Sequence, residues 1–228
     1  MHRRYKPKIP LYFTWSPNLA YVVGLITTDG CLSSNRRSVI FTSQDIELIG
    51  HVKLILNAKG KIGLTKNQKC ETYRIQIGNV QLYDWLLSIG LMPNKSLVLG
   101  KIVVPDEYFI DFLRGHLDGD GSITTYTDRF NTTKNLKYIY QRLWTRFISA
   151  SEKHVIWLQE TITRLIGLHG KIHKTKINHL GNRMYILKFA KKESLKLLAK
   201  IYYSEKIPHL ARKKKIYTIF SQKYEKKN

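Results

Sequence analysis

The chain has 228 residues, of which 39 are lysine or arginine and 16 are aspartate or glutamate, giving a formal net charge of +23. A hydrophobic fraction of 43% supports a globular core, and the lack of an apolar run of roughly 18 residues excludes a membrane helix. The positive charge extends through both halves of the sequence, which predicts a polyanionic partner, above all nucleic acid.

The first half of the chain is predicted to begin with a helix. Ser16 and Pro17 are typical of a helix start, and the apolar run YVVGLITTDG at 21–30 follows them and ends on Asp29 and Gly30. Alternating and helical apolar spacings then predict strands at 38–42, 61–66 and 71–77 and amphipathic helices at 45–56 and 80–89.

The second half repeats this order after two prolines, Pro93 and Pro105. A helix is predicted from Pro105 through the run FLRGHLDGDG at 112–121. The further predicted elements are strands at 122–128, 138–148, 171–178 and 183–189 and helices at 152–166 and 192–203. We therefore predict an α+β fold of two αββαββα half-domains, at 1–90 and 105–228, joined by an ordered connector at 91–104.

The two glycine-containing apolar runs end in the same way. Each closes on Asp-Gly, and their final acids, Asp29 and Asp120, lie 91 residues apart. A repeat of this length predicts two half-domains that face each other with paired carboxylates between them.

The predicted strands alternate between apolar and polar side chains. Tyr73, Ile75 and Ile77 share one face of their strand, while Ile139, Leu143 and Phe147 share one face of another. The opposite faces carry hydrogen-bonding and cationic groups of the kind that read base edges in the DNA major groove. For any single residue a solvated sheet face is the better explanation, but the whole set, together with the net charge of +23, favours a DNA-binding face. The predicted DNA contacts are Arg36, Arg37, Lys61, Lys66, Arg74, Gln76, Tyr138, Tyr140, Arg142, Trp144, Arg146, Lys174, Lys176 and Arg183.

The segments VVGLITTDG at 22–30 and LRGHLDGDG at 113–121 resemble the two LAGLIDADG motifs of single-chain homing endonucleases. The resemblance covers nearly the whole chain. It implies antiparallel saddle-shaped sheets and motif helices packed side by side, with Gly24 and Gly115 permitting close backbone approach. It also implies that Asp29 and Asp120 bind Mg²⁺ and catalyse cleavage.

Further site residues follow from the same resemblance. The backbone carbonyls of Thr28 and Gly119 are candidate metal ligands, and Lys95, Lys213 and Gln44 are candidate catalytic residues around the acids. For the two lysines, a generic phosphate contact is the alternative. His116 stands where the motif has an apolar residue, and we expect it to be either a core histidine or a DNA contact. In the second unit, Ser151 takes the place of Gln44.

The predicted function is site-specific double-strand DNA cleavage by a monomeric homing endonuclease that hydrolyses a long, non-palindromic target with Mg²⁺. The alternative is an intron RNA maturase of the same fold; a regulator without nuclease activity and an intein are disfavoured. Cys31 and Cys70 show neither disulfide nor zinc-finger spacing, and the basic start at 1–10 is not followed by an apolar stretch. We therefore expect an intracellular protein, in a mitochondrion, a chloroplast or a prokaryotic cytoplasm.

Overall fold

The order αββαββα occurs twice in the computed structural model, which describes residues 13–66, 70–179 and 181–225. The N-terminal unit consists of α1 (Pro17–Asp29), β1 (Gly30–Leu32), β2 (Ser38–Ser43), α2 (Ile46–Ile55), β3 (Gly63–Lys66), β4 (Glu71–Gly78) and α3 (Val80–Ser88). The C-terminal unit consists of α4 (Phe109–Asp118), β5 (Ser122–Asp128), β6 (Tyr140–Ser149), α5 (Glu152–Ile166), β7 (Lys171–Lys174), β8 (Tyr185–Phe189) and α6 (Lys191–Ile201). The predicted α+β fold is confirmed.

Each unit contains one antiparallel sheet of four strands, and the two sheets have the same strand order, β1-β2-β4-β3 and β5-β6-β8-β7. In β4, Ile75 and Ile77 are buried while Arg74 and Gln76 are exposed, as the alternation predicts. One expected core position is wrong: Ile139 is 48% exposed, because β6 begins only at Tyr140.

Helix α1 begins and ends at the positions that its sequence indicates, whereas α4 is shorter than predicted at both ends and stops at Asp118 instead of Gly121. The Ser16 hydroxyl accepts a hydrogen bond from the Leu19 N–H at 3.2 Å, and Pro17 occupies the first turn of α1. Helix α4 starts later than predicted, because residues Asp106–Tyr108 form a short 3₁₀ turn before it.

The two motif helices pack against each other at the centre of the molecule. A Cβ on Gly24 would lie 2.2 Å from the Phe112 carbonyl oxygen, and one on Gly115 would lie 2.0 Å from that of Tyr21. Both distances are far below van der Waals contact, so only glycine permits this approach. The predicted close backbone approach is thus present in the structure.

One helix was not predicted. Helix α7 (Ala211–Glu225) follows α6 and attaches the end of the C-terminal half to the N-terminal unit. The Arg212 guanidinium donates to both carboxylate oxygens of Asp45 at 2.9 and 2.8 Å, and the Ala211 N–H donates to the Glu47 carboxylate. The helices found within the described residues are all too short or too polar to cross a bilayer.

Candidate active site at the paired helix ends

The C-terminal ends of α1 and α4 bring two aspartates together. Asp29 is the last residue of α1, and Asp120 lies between the end of α4 and the first residue of β5, Ser122. The carboxylate oxygen Oδ2 of Asp29 is 3.0 Å from the point where a Cβ on Gly119 would stand. The same Cβ would stand 2.0 Å from the Thr28 Oγ1 atom, so a larger residue at Gly119 would first displace the Thr28 side chain, which precedes Asp29.

The surroundings of these two carboxyl groups disfavour their ionisation. Burial, followed by the charge of Asp120, raises the pKa of Asp29 from 3.8 to about 7. Burial also raises the pKa of Asp120. In both cases the ammonium groups of Lys95 and Lys213 oppose the increase, so the site holds two acids whose charges are only partly compensated.

Lys95 and Lys213 occupy equivalent positions at the two helix ends. The Nζ of Lys95 donates to the carbonyl oxygens of Thr28, at 3.4 Å, and of Gly30. The Nζ of Lys213 lies 2.7–2.9 Å from four carbonyl oxygens, those of Leu117, Asp118, Gly119 and Gly121. A buried ammonium at a helix C-terminus satisfies carbonyls that have no partner within the helix.

These contacts set the charge and orientation of the two lysines. Burial lowers the pKa of both, that of Lys213 to about 8. Both side chains are buried, and their ammonium groups are directed at backbone carbonyls rather than at solvent. They therefore fix the helix ends that carry Asp29 and Asp120.

The corner residues of the two units differ. Gln44 is exposed just before α2, whereas Ser151 is buried and its hydroxyl donates to the Leu99 carbonyl at 2.5 Å. Ser151 thus serves the core of the C-terminal unit and does not supply a second polar group at the surface. His116 also lies in the core, with its Nε2 atom 3.0 Å from that of His154, and not on the DNA face.

The sequence analysis missed the role of Asp118. Its buried carboxylate accepts hydrogen bonds from the Tyr21 hydroxyl at 3.0 Å and the Leu210 N–H at 2.8 Å, which joins α1, α4 and the segment before α7. Burial raises its pKa to about 6. The sequence did contain a sign of this role, since Asp118 lies within an apolar motif, and a buried carboxyl group needs hydrogen-bond partners.

The predicted DNA-contacting residues fall into three groups. Arg74 and Gln76 of β4 and Trp144 and Arg146 of β6 lie on the sheet faces opposite the core. Several others are paired with acids: Lys66 with Glu71, Arg142 with Asp128 and Lys174 with Glu152 of α5. Arg36, Arg37, Lys61, Tyr138, Tyr140 and Lys176 are exposed, and Arg183 is half-buried just before β8.

The position of Lys174 differs from the one predicted. Lys174 lies opposite Tyr185 in the β7–β8 register, on the side that packs against the helices, where its partner Glu152 begins α5. Side chains alternate along β7, so Lys174 lies on the same side as Ile172. Lys174 therefore points to the helical layer and not to the predicted DNA face.

Comparisons with known proteins identify this architecture. Residues 16–89 match the family model described as a LAGLIDADG-like domain. This match covers most of the N-terminal unit. The described fold as a whole is that of the two-domain LAGLIDADG proteins. None of the curated proteins matches the sequence.

Solved structures share this LAGLIDADG fold at low identity. The LAGLIDADG meganuclease I-AabMI bound to uncleaved DNA is 14% identical, with a TM-score of 0.62 over 93% of this chain and 92% of that chain. The homing endonuclease I-DmoI in complex with DNA and Mn is 20% identical, with a TM-score of 0.52 over 83% and 98% of the two chains. Full-length DUF199/WhiA from Thermatoga maritima is 16% identical, with a TM-score of 0.52. The match covers 89% of this chain but only 60% of the length of DUF199/WhiA.

The donor set at the LAGLIDADG helix ends fits a hard divalent cation. It offers the carboxylates of Asp29 and Asp120, held in surroundings that penalise two adjacent negative charges. The described residues contain no cluster of three or more histidine, cysteine or acidic side chains, so a metal here would take its remaining ligands from backbone, water or phosphate. Mg²⁺ is commonly bound in this way, by one or two carboxylates and phosphate oxygens.

Proposed function

We propose that this chain is a site-specific endonuclease that cuts both strands of a DNA duplex with Mg²⁺. The observation that carries this proposal is the pairing of Asp29 and Asp120 at adjoining helix ends, at the junction of two units that each carry an antiparallel sheet. The net charge of +23 supports a polyanionic substrate, and related structures are bound to DNA, including one complex with Mn.

Each residue at the helix ends has a defined task in this mechanism. Asp29 and Asp120 would hold the metal. The carbonyls of Thr28 and Gly119 already accept from the ammonium groups of Lys95 and Lys213, so each would offer the cation only its second lone pair. When bound, the cation supplies charge stabilisation to the phosphate and lowers the pKa of a water molecule. Lys95 and Lys213 hold the two helix ends and, by their charge, favour the ionised carboxylates that bind the cation.

The two lysines act as positioning residues in this account. Their ammonium groups contact backbone carbonyls, and the same contacts fix the geometry of the residues that bear the carboxylates. Gln44, exposed at the corner before α2, is the remaining candidate for orienting a water molecule near the site. The C-terminal unit has no equivalent side chain there, because Ser151 is buried.

We further propose that the protein acts as a monomer on a non-palindromic target, as in intron homing. One chain supplies both aspartates, so the paired site is complete without a second copy. The two motifs also differ: the Thr27 hydroxyl donates within α1 to the Val23 carbonyl, whereas Asp118 connects three segments. Unequal units are suited to unequal half-sites.

Selection from a randomised duplex library tests this function. The purified protein is incubated with the library and Mg²⁺, cleaved molecules are sequenced, and the double variant D29N/D120N serves as the control. We expect one long family of sites, cut on both strands by the wild type alone. No enriched site, combined with specific binding to intron RNA and not to duplex DNA, would contradict the proposal and favour a maturase.

A further inference from the structure

The residues that precede α2 and α5 direct their side chains away from those helices. Asp45 precedes α2 and Ser151 precedes α5, and both residue types usually accept hydrogen bonds from the first N–H groups of the helix that follows. Within the described residues, neither side chain makes such a bond. The backbone N–H groups of Asp45 and Ser151 donate to the hydroxyls of Ser43 and Ser149, each at 3.1 Å. The two side chains therefore serve partners outside their own helices.

The partners of Asp45 and of its neighbour Glu47 lie at the start of α7, in the C-terminal half of the chain. The Asp45 carboxylate accepts two hydrogen bonds from the Arg212 guanidinium, at 2.9 and 2.8 Å, and the Glu47 carboxylate accepts from the Ala211 N–H. The next residue is Lys213, whose ammonium lies against the end of α4. The N-terminal unit therefore holds the segment that delivers a lysine to the C-terminal unit.

The first turn of α5 holds the connector in a corresponding way. The Ser151 hydroxyl donates to the Leu99 carbonyl at 2.5 Å, and the Nδ1 of His154 donates to the Gly100 carbonyl at 2.8 Å. The Leu99 N–H donates in turn to the Lys95 carbonyl at 2.8 Å, which joins these contacts to the lysine at the end of α1. The C-terminal unit therefore holds the segment that delivers a lysine to the N-terminal unit.

His116 supports the contact that His154 makes. Burial lowers the pKa of both imidazoles, that of His154 to about 4, so both rings are neutral at pH 7. A neutral His154 that donates from Nδ1 can only accept at Nε2, and the Nε2 of His116 lies 3.0 Å from it. The departure of His116 from an otherwise apolar motif thereby fixes the tautomer in which His154 holds Gly100.

We propose that these contacts form two reciprocal clasps: α2 of the N-terminal unit positions Lys213 at the end of α4, and α5 of the C-terminal unit positions Lys95 at the end of α1. Asp45, Arg212 and Ser151 are then positioning residues for the two lysines. Each helix end that carries a catalytic aspartate is completed only through the opposite unit. The effect of the clasps on cleavage rests on the proposed function, whereas the clasps themselves do not.

The two clasps differ in chemistry. The side chains of Arg212 and Asp45 are 60% and 25% exposed, whereas Ser151 and His154 are buried. Salt screens exposed ion pairs but has little effect on buried neutral hydrogen bonds. Salt should therefore loosen the clasp on Lys213 and leave the clasp on Lys95 unchanged.

Acetylation of the lysine amines tests the clasps without DNA. The full chain is treated with the N-hydroxysuccinimide ester of acetic acid at constant pH, and the rate at each lysine is measured by peptide mass spectrometry. The exposed Lys215 gives the reference rate. A clasp that opens should expose its own lysine to the reagent, whereas general destabilisation should expose Lys95 and Lys213 together.

The variants separate the two clasps. D45N and R212Q remove the ionic clasp, and S151A weakens the buried one. R164Q is the matched control, because the Arg164 guanidinium donates to both carboxylate oxygens of Asp106 at 2.5 and 2.7 Å, but within the C-terminal unit. R164Q therefore removes an exposed pair of the same kind that does not join the two units.

We expect D45N and R212Q each to raise the acetylation rate of Lys213 about threefold, as fits the loss of an exposed ion pair, and to leave Lys95 unchanged. Asp45 raises the pKa of Lys213 while Arg212 lowers it, so an equal increase in both variants cannot come from a change in that pKa. In the wild type, KCl at about 0.5 M should produce the same increase at Lys213 alone.

S151A should raise the rate at Lys95 about tenfold and leave Lys213 unchanged, because the Leu99 carbonyl loses its buried donor. R164Q should alter neither rate. If S151A folds poorly, D45N and R212Q still test the proposal, since they change an exposed pair and leave the core intact. Equal increases at both lysines in D45N and R212Q, or the same increase at Lys213 in R164Q, would overturn the proposal.

Failure of the proposed function has a different signature. The lysines would respond selectively in the clasp variants while the wild type cleaved no member of the randomised library. If the wild type does cleave its site, D45N and R212Q should lower the cleavage rate at saturating protein, whereas R164Q should not. A wild type that cleaves its site while Lys213 reacts at the same rate in all variants would retain the function and refute the clasps.

Discussion

Gly115→Ala tests whether the seam between α1 and α4 determines the position of the active site. The added Cβ would stand 2.0 Å from the Tyr21 carbonyl oxygen and 2.9 Å from its carbonyl carbon, both of which belong to the helix backbone. Ordinary contact begins near 3.4 Å, so the helices must separate by about 1.4 Å or bend. No side-chain rotation can relieve this clash.

The magnitude follows from two opposing effects. Alanine gains up to about 1 kcal/mol over glycine in a helix interior, whereas overpacking a core costs about 1–3 kcal/mol, and more when backbone must move. Because the clash at 2.0 Å is with backbone, the cost lies at the upper end of this range, so we expect a net loss of about 2 kcal/mol, which lowers the Tm by about 4–8 °C for a chain of this size. Because α1 and α4 carry Asp29 and Asp120, the same displacement should reduce cleavage by about 10²-fold.

Gly50→Ala is the matched control. Gly50 lies inside α2, is exposed, and has nothing within 4 Å of the added Cβ, so this substitution should stabilise the protein by about 0.5–1 kcal/mol. Thermal unfolding followed by circular dichroism measures both variants. If Gly115→Ala raised the Tm as Gly50→Ala does, the close packing of α1 on α4 would be refuted.

Two further predictions concern the charges at the helix ends. The folded pKa of Asp29, about 7, exceeds its unfolded value, so the stability of the wild type should fall as the pH rises from about 4 to 7. Asp29→Asn should therefore be more stable than the wild type at pH 8, by about 1–3 kcal/mol, but not at pH 4. Mg²⁺ should reduce the difference at pH 8. Equal pH dependence of thermal unfolding in both proteins would contradict this. Lys213→Met should lower the free energy of unfolding by about 2–4 kcal/mol, because four carbonyls lose their buried partner. The control Lys215→Met, at an exposed position, should change it by no more than about 0.5 kcal/mol, as measured by urea unfolding. Comparable losses for the two lysines would refute the capping role of Lys213.

The repeated element order and the paired aspartates could be predicted from sequence because both depend on local patterns. Apolar periodicity marks the helices, and the first Asp-Gly ending marks where α1 stops, whereas α4 stops at Asp118, two residues before Asp120. Strand β1 (Gly30–Leu32) was missed because three residues are too few to show alternation.

Helix α7 could not be predicted because its stability comes from distant residues. The sequence ARKKKIYTIFSQKYE has no clear apolar stripe, and its first turn is held by Asp45 and Glu47, more than 160 residues earlier in the chain. The same applies to Lys213: its position near the acids was predicted by resemblance, but only the fold reveals the four carbonyls that surround its ammonium.

The neighbourhood of Arg146, Lys188 and Lys171 likewise depends on strand register. Lys171 and Lys188 lie 17 residues apart in the sequence, and neither was selected as a DNA contact. They become neighbours of each other, and Lys188 of Arg146, only through the pairing of β6, β8 and β7. A sequence pattern gives the face of a strand, whereas the partner across the sheet is set by tertiary structure.

Strand-resolved cleavage by Asp29→Asn and Asp120→Asn tests the central claim most directly. Each variant is incubated with the selected target and Mg²⁺, cut strands are quantified on a denaturing gel, and binding to the same target is measured in parallel. We predict that both variants bind the target at least as tightly as the wild type but make no double-strand cut. Full double-strand cleavage by either variant would contradict the assignment of the paired aspartates as the active site.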